Sequence, residues 1–293
     1  MQFDPQQIVI GMASGSVYAA LGLALVLIFR STGIINFAQG EMATFFAYIT
    51  WTLIVAAGVP YWVGIGTTIL LALLLGMGME RAIIRRLGRH SELAVVIGTL
   101  GLFVFFNGLD LSIWQGVPKP FPAPFGRDVL RLGNLFVSVQ YVGVLGVCLV
   151  FMLMTYAFFR FTRIGLALEA STLNPTAARL MGINVDCMLM LGWGLASVLG
   201  SVAGILTADL LLLEPNMMAG TMLFSFAAIS LGGVTSPVGA VVGGMIVGVV
   251  QSAVGTAILG GTSLRTPLAF LVIVLVLVFR PNGLFGRVSV TRA

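Results

Sequence analysis

The sequence predicts an all-α polytopic membrane protein. Three observations carry that prediction. Of the 293 residues, 59% are hydrophobic and 9% are charged, whereas an ordinary soluble domain carries about 25% charged residues. The mean hydropathy is +1.09. Apolar runs of about 20 residues, long enough to cross a ~30 Å hydrocarbon core at 1.5 Å rise per residue, recur along the chain. A soluble chain this poor in charge would expose large apolar patches. Lipid is therefore the solvent for most of it.

Nine segments qualify, at about 8–29, 33–57, 61–80, 93–115, 138–159, 188–212, 217–234, 238–260 and 264–280. They predict about nine transmembrane helices. No Lys or Arg precedes Arg30, so the first segment lacks the positive leader of a signal peptide and is expected to be a retained helix. The second, seventh and eighth segments are rich in Gly and polar residues, and are the ones expected to be broken or re-entrant.

Charge sets the orientation. With the N-terminus outside, the inner connections carry eleven basic residues: Arg30, Arg81, Arg85, Arg86, Arg89, Arg160, Arg163, Arg179, Arg280, Arg287 and Arg292. The outer side keeps four: Lys119, Arg127, Arg131 and Arg265. This bias predicts N-out and C-in, which requires an odd number of crossings. The outer connection 116–137 is rich in Pro and reads as an ordered loop, and the inner connection 160–187 is the other long one. Neither is large enough for a soluble domain. The whole chain, 1–293, reads as one membrane domain.

Small residues recur at spacings of four. Gly11 and Gly15 form one pair, and Ala196, Gly200 and Gly204 form a run. Gly239 and Gly243, with Gly244 and Gly248 beside them, form a double stripe. Such stripes let helix backbones approach closely in lipid.

Absences exclude several chemistries. The single lysine, Lys119, follows Pro118, so the GxxxxGK[ST] loop that binds nucleotide phosphates is missing. The single histidine, His90, lies in the basic stretch RRLGRHSE. That rules out HExxH and a His-rich metal site. No nucleophile–base pair is evident, and the basic residues gather at segment ends rather than in a nucleic-acid-binding patch. No catalytic residue, metal site or cofactor of its own is expected. Cys148 and Cys187 are far apart and say nothing about redox compartment.

Most of the ten acidic residues sit at segment ends, where they are cheap. Glu41, in the stretch NFAQGE, does not. On a straight helix from Arg30 it would lie about 15 Å deep, where a carboxylate costs about 2.5–3.5 kcal/mol. Asp209 is the next deepest. Asn36, Gln39 and Gly40 share one helix face, but Glu41 stands about 140° from Asn36 at 100° per residue. Either the segment breaks near Gly33 or Gly40, or Glu41 serves a different contact. Two readings stand open: an internal hydrogen-bonding knot, or a lining of the substrate pathway.

Within 160–187, Asn174 suits an N-cap, Pro175 the first helical position, and Gly182 the position past the end. A short helix of about 175–181 follows. It is too short to be stable alone, so it lies at the headgroups or docks on a partner.

Four stretches, STGIINFAQGEMATFFAYI (31–49), TRIGLALEASTLNPTAARLMGINVD (162–186), AAISLGGVTSPVGAVVGGMIVG (227–248) and RPNGLFGR (280–287), carry a resemblance over nearly the whole length. The chain resembles the permease subunits of branched-chain amino-acid ABC importers, of the LivH type. One departure stands at Gln39, where many members of that family carry His. The resemblance implies an ABC importer permease fold in a bacterial inner membrane, working by alternating access. It also implies a related second permease subunit in a heterodimer, two cytosolic ATPases that use the ATP, and a periplasmic binding protein. Glu169, Asn174, Pro175, Arg179 and Gly182 would then belong to a coupling helix seated on an ATPase. Asn36, Gln39, Gly40, Glu41 and Asp209 would belong to the pathway or its gate. The same machinery could carry urea, short amides or other small solutes. An ion-coupled secondary transporter using Glu41 and Asp209 is the alternative from a different class.

Overall fold

The structure is a computed structural model that describes residues 6–126, 128–132, 135–257, 265–280 and 283–285. Asp4, Arg127, Arg287 and Arg292, residues 258–260 and 264 of the predicted segments, and half of RPNGLFGR lie outside the described residues. Twelve α-helices occur among the described residues. They are α1 Gln6–Thr32, α2 Gln39–Trp51, α3 Tyr61–Met79, α4 Arg85–Gly88, α5 Glu92–Trp114, α6 Val139–Phe161, α7 Arg163–Leu173, α8 Pro175–Leu180, α9 Val185–Leu210, α10 Met218–Gly232, α11 Pro237–Ala257 and α12 Arg265–Phe279. π-helical turns extend α2 over Thr52–Ala56 and join α3 to α4 over Glu80–Ile84. Strands β1 Val129–Leu132 and β2 Leu135–Ser138 pair antiparallel, with Val129 opposite Ser138.

Each of the nine predicted segments contains a helix. Among the described residues, five stretches are long and apolar enough to cross a membrane: Gln6–Thr32, Tyr61–Gly88, Glu92–Trp114, Val139–Phe161 and Val185–Leu210. Several expectations need correction. Segment 33–57 is helical only from Gln39, because Gly33 takes φ +73° and ends the preceding helix. Segment 61–80 continues to Gly88 through the π turn. The connection 116–137 contains the β-hairpin, whose Val129, Leu130, Phe136 and Val137 favour extended backbone. The connection 160–187 holds α7 as well as the short helix. There the Thr162 hydroxyl caps α7 by accepting from the Gly165 N–H at 3.0 Å. Glu80 and Asp110, taken as inexpensive segment-end acids, are buried to 3% and 0% exposure.

The chain divides into two compact units. The first comprises Met1–Val26, Ala123–Leu149 and Gly220–Ala293. Here α1 packs on α11 through the glycine stripes. A Cβ at Gly11 would meet Val249 Cα at 2.8 Å, and one at Gly15 would meet Met245 Cα at 3.1 Å. Gly232 and Gly239 bring α10 and α11 together backbone to backbone. Tyr18 stacks on Phe224 with centroids 5.1 Å apart, and its hydroxyl donates to Gln251 Oε1 at 2.9 Å. These contacts make α1 and α10 run in one direction and α11 in the other.

The second unit comprises Leu27–Pro122 and Val150–Ala219. Its core is α9, flanked by α2 and α3. Gly204 admits the backbone of Ala43 on α2, and a Cβ at Gly76 of α3 would meet Trp193 O at 2.7 Å. A Cβ at Gly194 would meet Leu73 O at 3.0 Å and Met77 Cγ at 2.9 Å. All these small residues serve packing within the unit. By register, α2, α5 and α9 run together and α3 runs against them.

Candidate functional site

The feature that organises the site is where α2 begins. Residues 33–38 are not helical. Gln39 of α2 reaches Ala196, the twelfth residue of α9, and Glu41 reaches Asn107, the sixteenth residue of α5. At 1.5 Å per residue, α2 therefore starts about 17 Å along α9 and about 22 Å along α5. It is a half-helix whose N-terminal end lies level with the interior of its neighbours. The positive end of a helix dipole favours a carboxylate in the first turn, which is where Glu41 stands.

The break is held by side chains. Asn36 Oδ1 accepts from the Ala38 N–H at 3.0 Å, the Asx-type turn that this residue favours. Asn36 Nδ2 donates to Gln39 Oε1 at 3.1 Å and to Met42 Sδ at 3.6 Å. Gln39 Nε2 then donates to the Ala196 carbonyl at 3.0 Å, beside Gly200, which leaves room for the amide. Asn36, Gln39 and Gly40 are buried, and the first two form a knot between the break and α9. Glu41 faces α5 instead. The separation of faces expected from helix geometry is thus met by two different neighbouring helices.

On α2, Glu41, Phe45, Tyr48 and Thr52 follow one another at helical spacing, and on α5 so do Asn107, Asp110 and Trp114. The two stripes meet. Asn107 Nδ2 donates to Glu41 Oε2 at 3.2 Å and to Asn216 Oδ1 at 2.9 Å. Asn216 is exposed and takes a left-handed φ of 65° in the turn after α9, so the asparagine pair links the buried Glu41 to the surface. Further along, Tyr48 stacks on Trp114 at 4.7 Å, and Trp114 Nε1 donates to Thr52 Oγ1 at 2.9 Å. Asp110 sits between these levels, fully buried. Sequence reasoning missed Asn107, Asp110, Tyr48 and Asn216. The i, i+3, i+7 polar stripe on α5 was the available signal.

Asp209 is half-buried near the end of α9, within electrostatic reach of the Tyr61 hydroxyl. Ala43 packs at Gly204, so Asp209 lies five residues, about 7.5 Å of rise, beyond that level.

The other end of the unit carries the short helix. Asn174 Oδ1 accepts from the Ala177 N–H at 3.0 Å, Pro175 opens α8, and Gly182 follows it with φ +81°. One residue, Ala178, is buried, while Leu180 and Met181 are 86% and 69% exposed. Arg179 pairs with Asp186 at 3.3 Å, and Arg85 reaches the same carboxylate at 3.5 Å and the Asp186 carbonyl at 2.8 Å. Arg85 also clamps Glu80, with Nε to Oε1 at 3.1 Å and Nη2 to Oε2 at 2.6 Å. Glu169 of α7 pairs with Arg30 at 3.0 Å at the end of α1. Two ionic contacts thus tie α7 and α8 to the ends of spanning helices.

The chain is similar to known transport proteins over almost all of its length. The family described as branched-chain amino acid transport system / permease component matches residues 7–279. The high-affinity branched-chain amino acid transport system permease protein BraD of Pseudomonas aeruginosa is 27% identical, covering 98% of this chain and 97% of that one. The corresponding LivH of Escherichia coli K12 is 28% identical, with the same coverage of each. The ribose import permease protein RbsC of the same organism is 28% identical over 61% of this chain and 51% of its own. No P-loop occurs in the sequence, and these relatives are permease subunits rather than enzymes. The chain therefore belongs to the family of branched-chain amino acid transport permease components.

Proposed function

We propose that this permease is one transmembrane half of an ATP-driven importer that carries branched-chain amino acids across a bacterial inner membrane. The match to the permease family over residues 7–279 carries the reading. A related second permease would complete the pathway, two cytosolic ATPases would supply the energy, and a periplasmic binding protein would deliver the substrate. The nine apolar segments would cross with the N-terminus outside and the C-terminus inside. The alternating helix directions within each unit support that count.

The exposed Leu180 and Met181 at the end of α8 support a seat for this helix on an ATPase. A helix of six residues with one buried side chain gains little from its own chain. Motion of α8 would pass through Asp186 into α9 and, through Arg85, into α3. Glu169 would carry it to α1. The deep N-terminus of α2, with Asn36, Gln39, Gly40 and Glu41, would form part of the gate or pathway, with Asp209 beyond it. Half-helix ends at membrane depth are where transporters place their substrate sites.

The test is purification of the tagged complex in mild detergent, followed by reconstitution with the binding protein. The expected result is recovery of an ATPase and ATP-dependent uptake of leucine. Transport by the chain alone under an ion gradient would refute the proposal.

A further inference from the structure

Asp110 is fully buried, yet neither of its carboxylate oxygens has a hydrogen-bond partner. Neither does the hydroxyl of Tyr48, which is also fully buried. These three atoms belong to the two facing stripes of α2 and α5, where Asp110 and Tyr48 lie within electrostatic reach of one another and Asp110 lies within reach of Glu41. Among the described residues, no ion pair reaches Glu41 or Asp110. A buried polar group without a partner is costly, and a buried carboxylate more so. Ionisable residues placed inside a membrane protein mark pathways and ligand counter-charges.

What the three groups offer is chemically one-sided. Two carboxylates present acceptor oxygens, and the phenol oxygen can accept as well. Aromatic rings belong to the same stripes: Phe45 and Phe106 lie 5.1 Å apart, and the Trp114 ring covers Tyr48. Such a place suits a small cation rich in N–H donors, because charge-assisted bonds are strongest where water is excluded. The Asn107–Asn216 bridge lies between this place and the surface, so its opening would give access.

We propose that Asp110, Tyr48 and Glu41 form the seat for the ammonium group of the transported amino acid. This rests on the amino-acid importer reading above. The seat supplies a selection that apolar side-chain pockets cannot: it favours an ammonium-bearing solute over a neutral polyol of similar size.

The test is leucine uptake into proteoliposomes holding the complete importer with its ATPases and binding protein. Asp110→Asn keeps the shape and removes the charge. The expected outcome is a rise of about tenfold or more in the half-saturating leucine concentration, equivalent to about 1.4 kcal/mol. The same variant complex should melt at or above the wild-type temperature, since a partnerless buried carboxylate has become a neutral amide. Wild-type uptake by Asp110→Asn overturns the proposal. If that variant does not assemble, Tyr48→Phe decides: it leaves the stack on Trp114 and removes one oxygen, and unchanged leucine uptake then overturns the proposal. Uptake is repeated with sodium and potassium replaced by N-methylglucamine. Retention supports the substrate's ammonium as the ligand, and loss that is absent in Asp110→Asn assigns the seat to an inorganic cation instead. Absence of leucine uptake by the wild-type complex refutes the importer reading itself, and this inference with it.

Discussion

Two glycines of α3, two residues apart, give opposite predictions for the same substitution. A Cβ at Gly76 would meet the Trp193 carbonyl oxygen at 2.7 Å and Ser197 Cβ at 2.8 Å. Neither atom can rotate away, because one is α9 backbone and the other is fixed to it. Comfortable contacts between carbon atoms lie at about 3.5–4.0 Å, so the helices must part by roughly 0.7 Å or more. Overpacking of this kind costs about 1–3 kcal/mol. At Gly78 a Cβ meets nothing within 4 Å. There Gly78→Ala gains about 0.8–1 kcal/mol from helix propensity alone. The propensity gain applies at Gly76 as well and cancels in the comparison, so the two variants should differ by the overpacking term alone, about 1–3 kcal/mol. With about 2–4 °C per kcal/mol for large domains, their melting temperatures should differ by roughly 2–12 °C. Trp193 is fully buried in the same contact, so intrinsic tryptophan fluorescence during heating reports the transition, at one scan rate for both proteins. If Gly76→Ala melts with or above Gly78→Ala, the close α3–α9 packing is wrong.

Two further predictions concern α8 and its surroundings. Asp186→Asn removes the carboxylate that Arg179 and Arg85 share. Exposed ion pairs contribute about 0–1 kcal/mol, so the melting temperature should barely move while leucine transported per ATP hydrolysed falls; an unchanged ratio would break the proposed link from α8 to α3. Gly182→Val puts a β-branched residue at φ +81°, a strain of about 1–3 kcal/mol, and should uncouple hydrolysis from transport. Gly182→Asn, which tolerates that conformation, should retain coupling, and equal behaviour of the two variants would show that the backbone conformation is irrelevant.

The helical segments were legible because lipid demands long apolar runs. The caps of α8 were legible because Asn174, Pro175 and Gly182 act through local backbone chemistry. The break before α2 was half legible: the divergent faces of Asn36 and Glu41 required some irregularity, but could not place it. Asp110 was not legible. Counting residues put it near the end of its segment, where acids are inexpensive. What buries it is α2 starting level with the C-terminal half of α5, and that is a tertiary fact. The π turns were equally silent, since the residues of Thr52–Ala56 and Glu80–Ile84 suit an α-helix just as well.

The second π turn has a consequence for how this chain can change length. Glu80 and Arg85 are five residues apart, and on an α-helix they would stand about 140° from each other. The wider i→i+5 winding brings them onto one side, where Arg85 grips Glu80 and Asp186 together. Losing one residue between Met79 and Arg85 would restore ordinary winding and swing the guanidinium away from Asp186. Gaining one would do the same in the opposite sense. The spacing within this stretch is therefore fixed to the single residue, and insertions or deletions in descendants of this gene should be confined to the turns on either side of it.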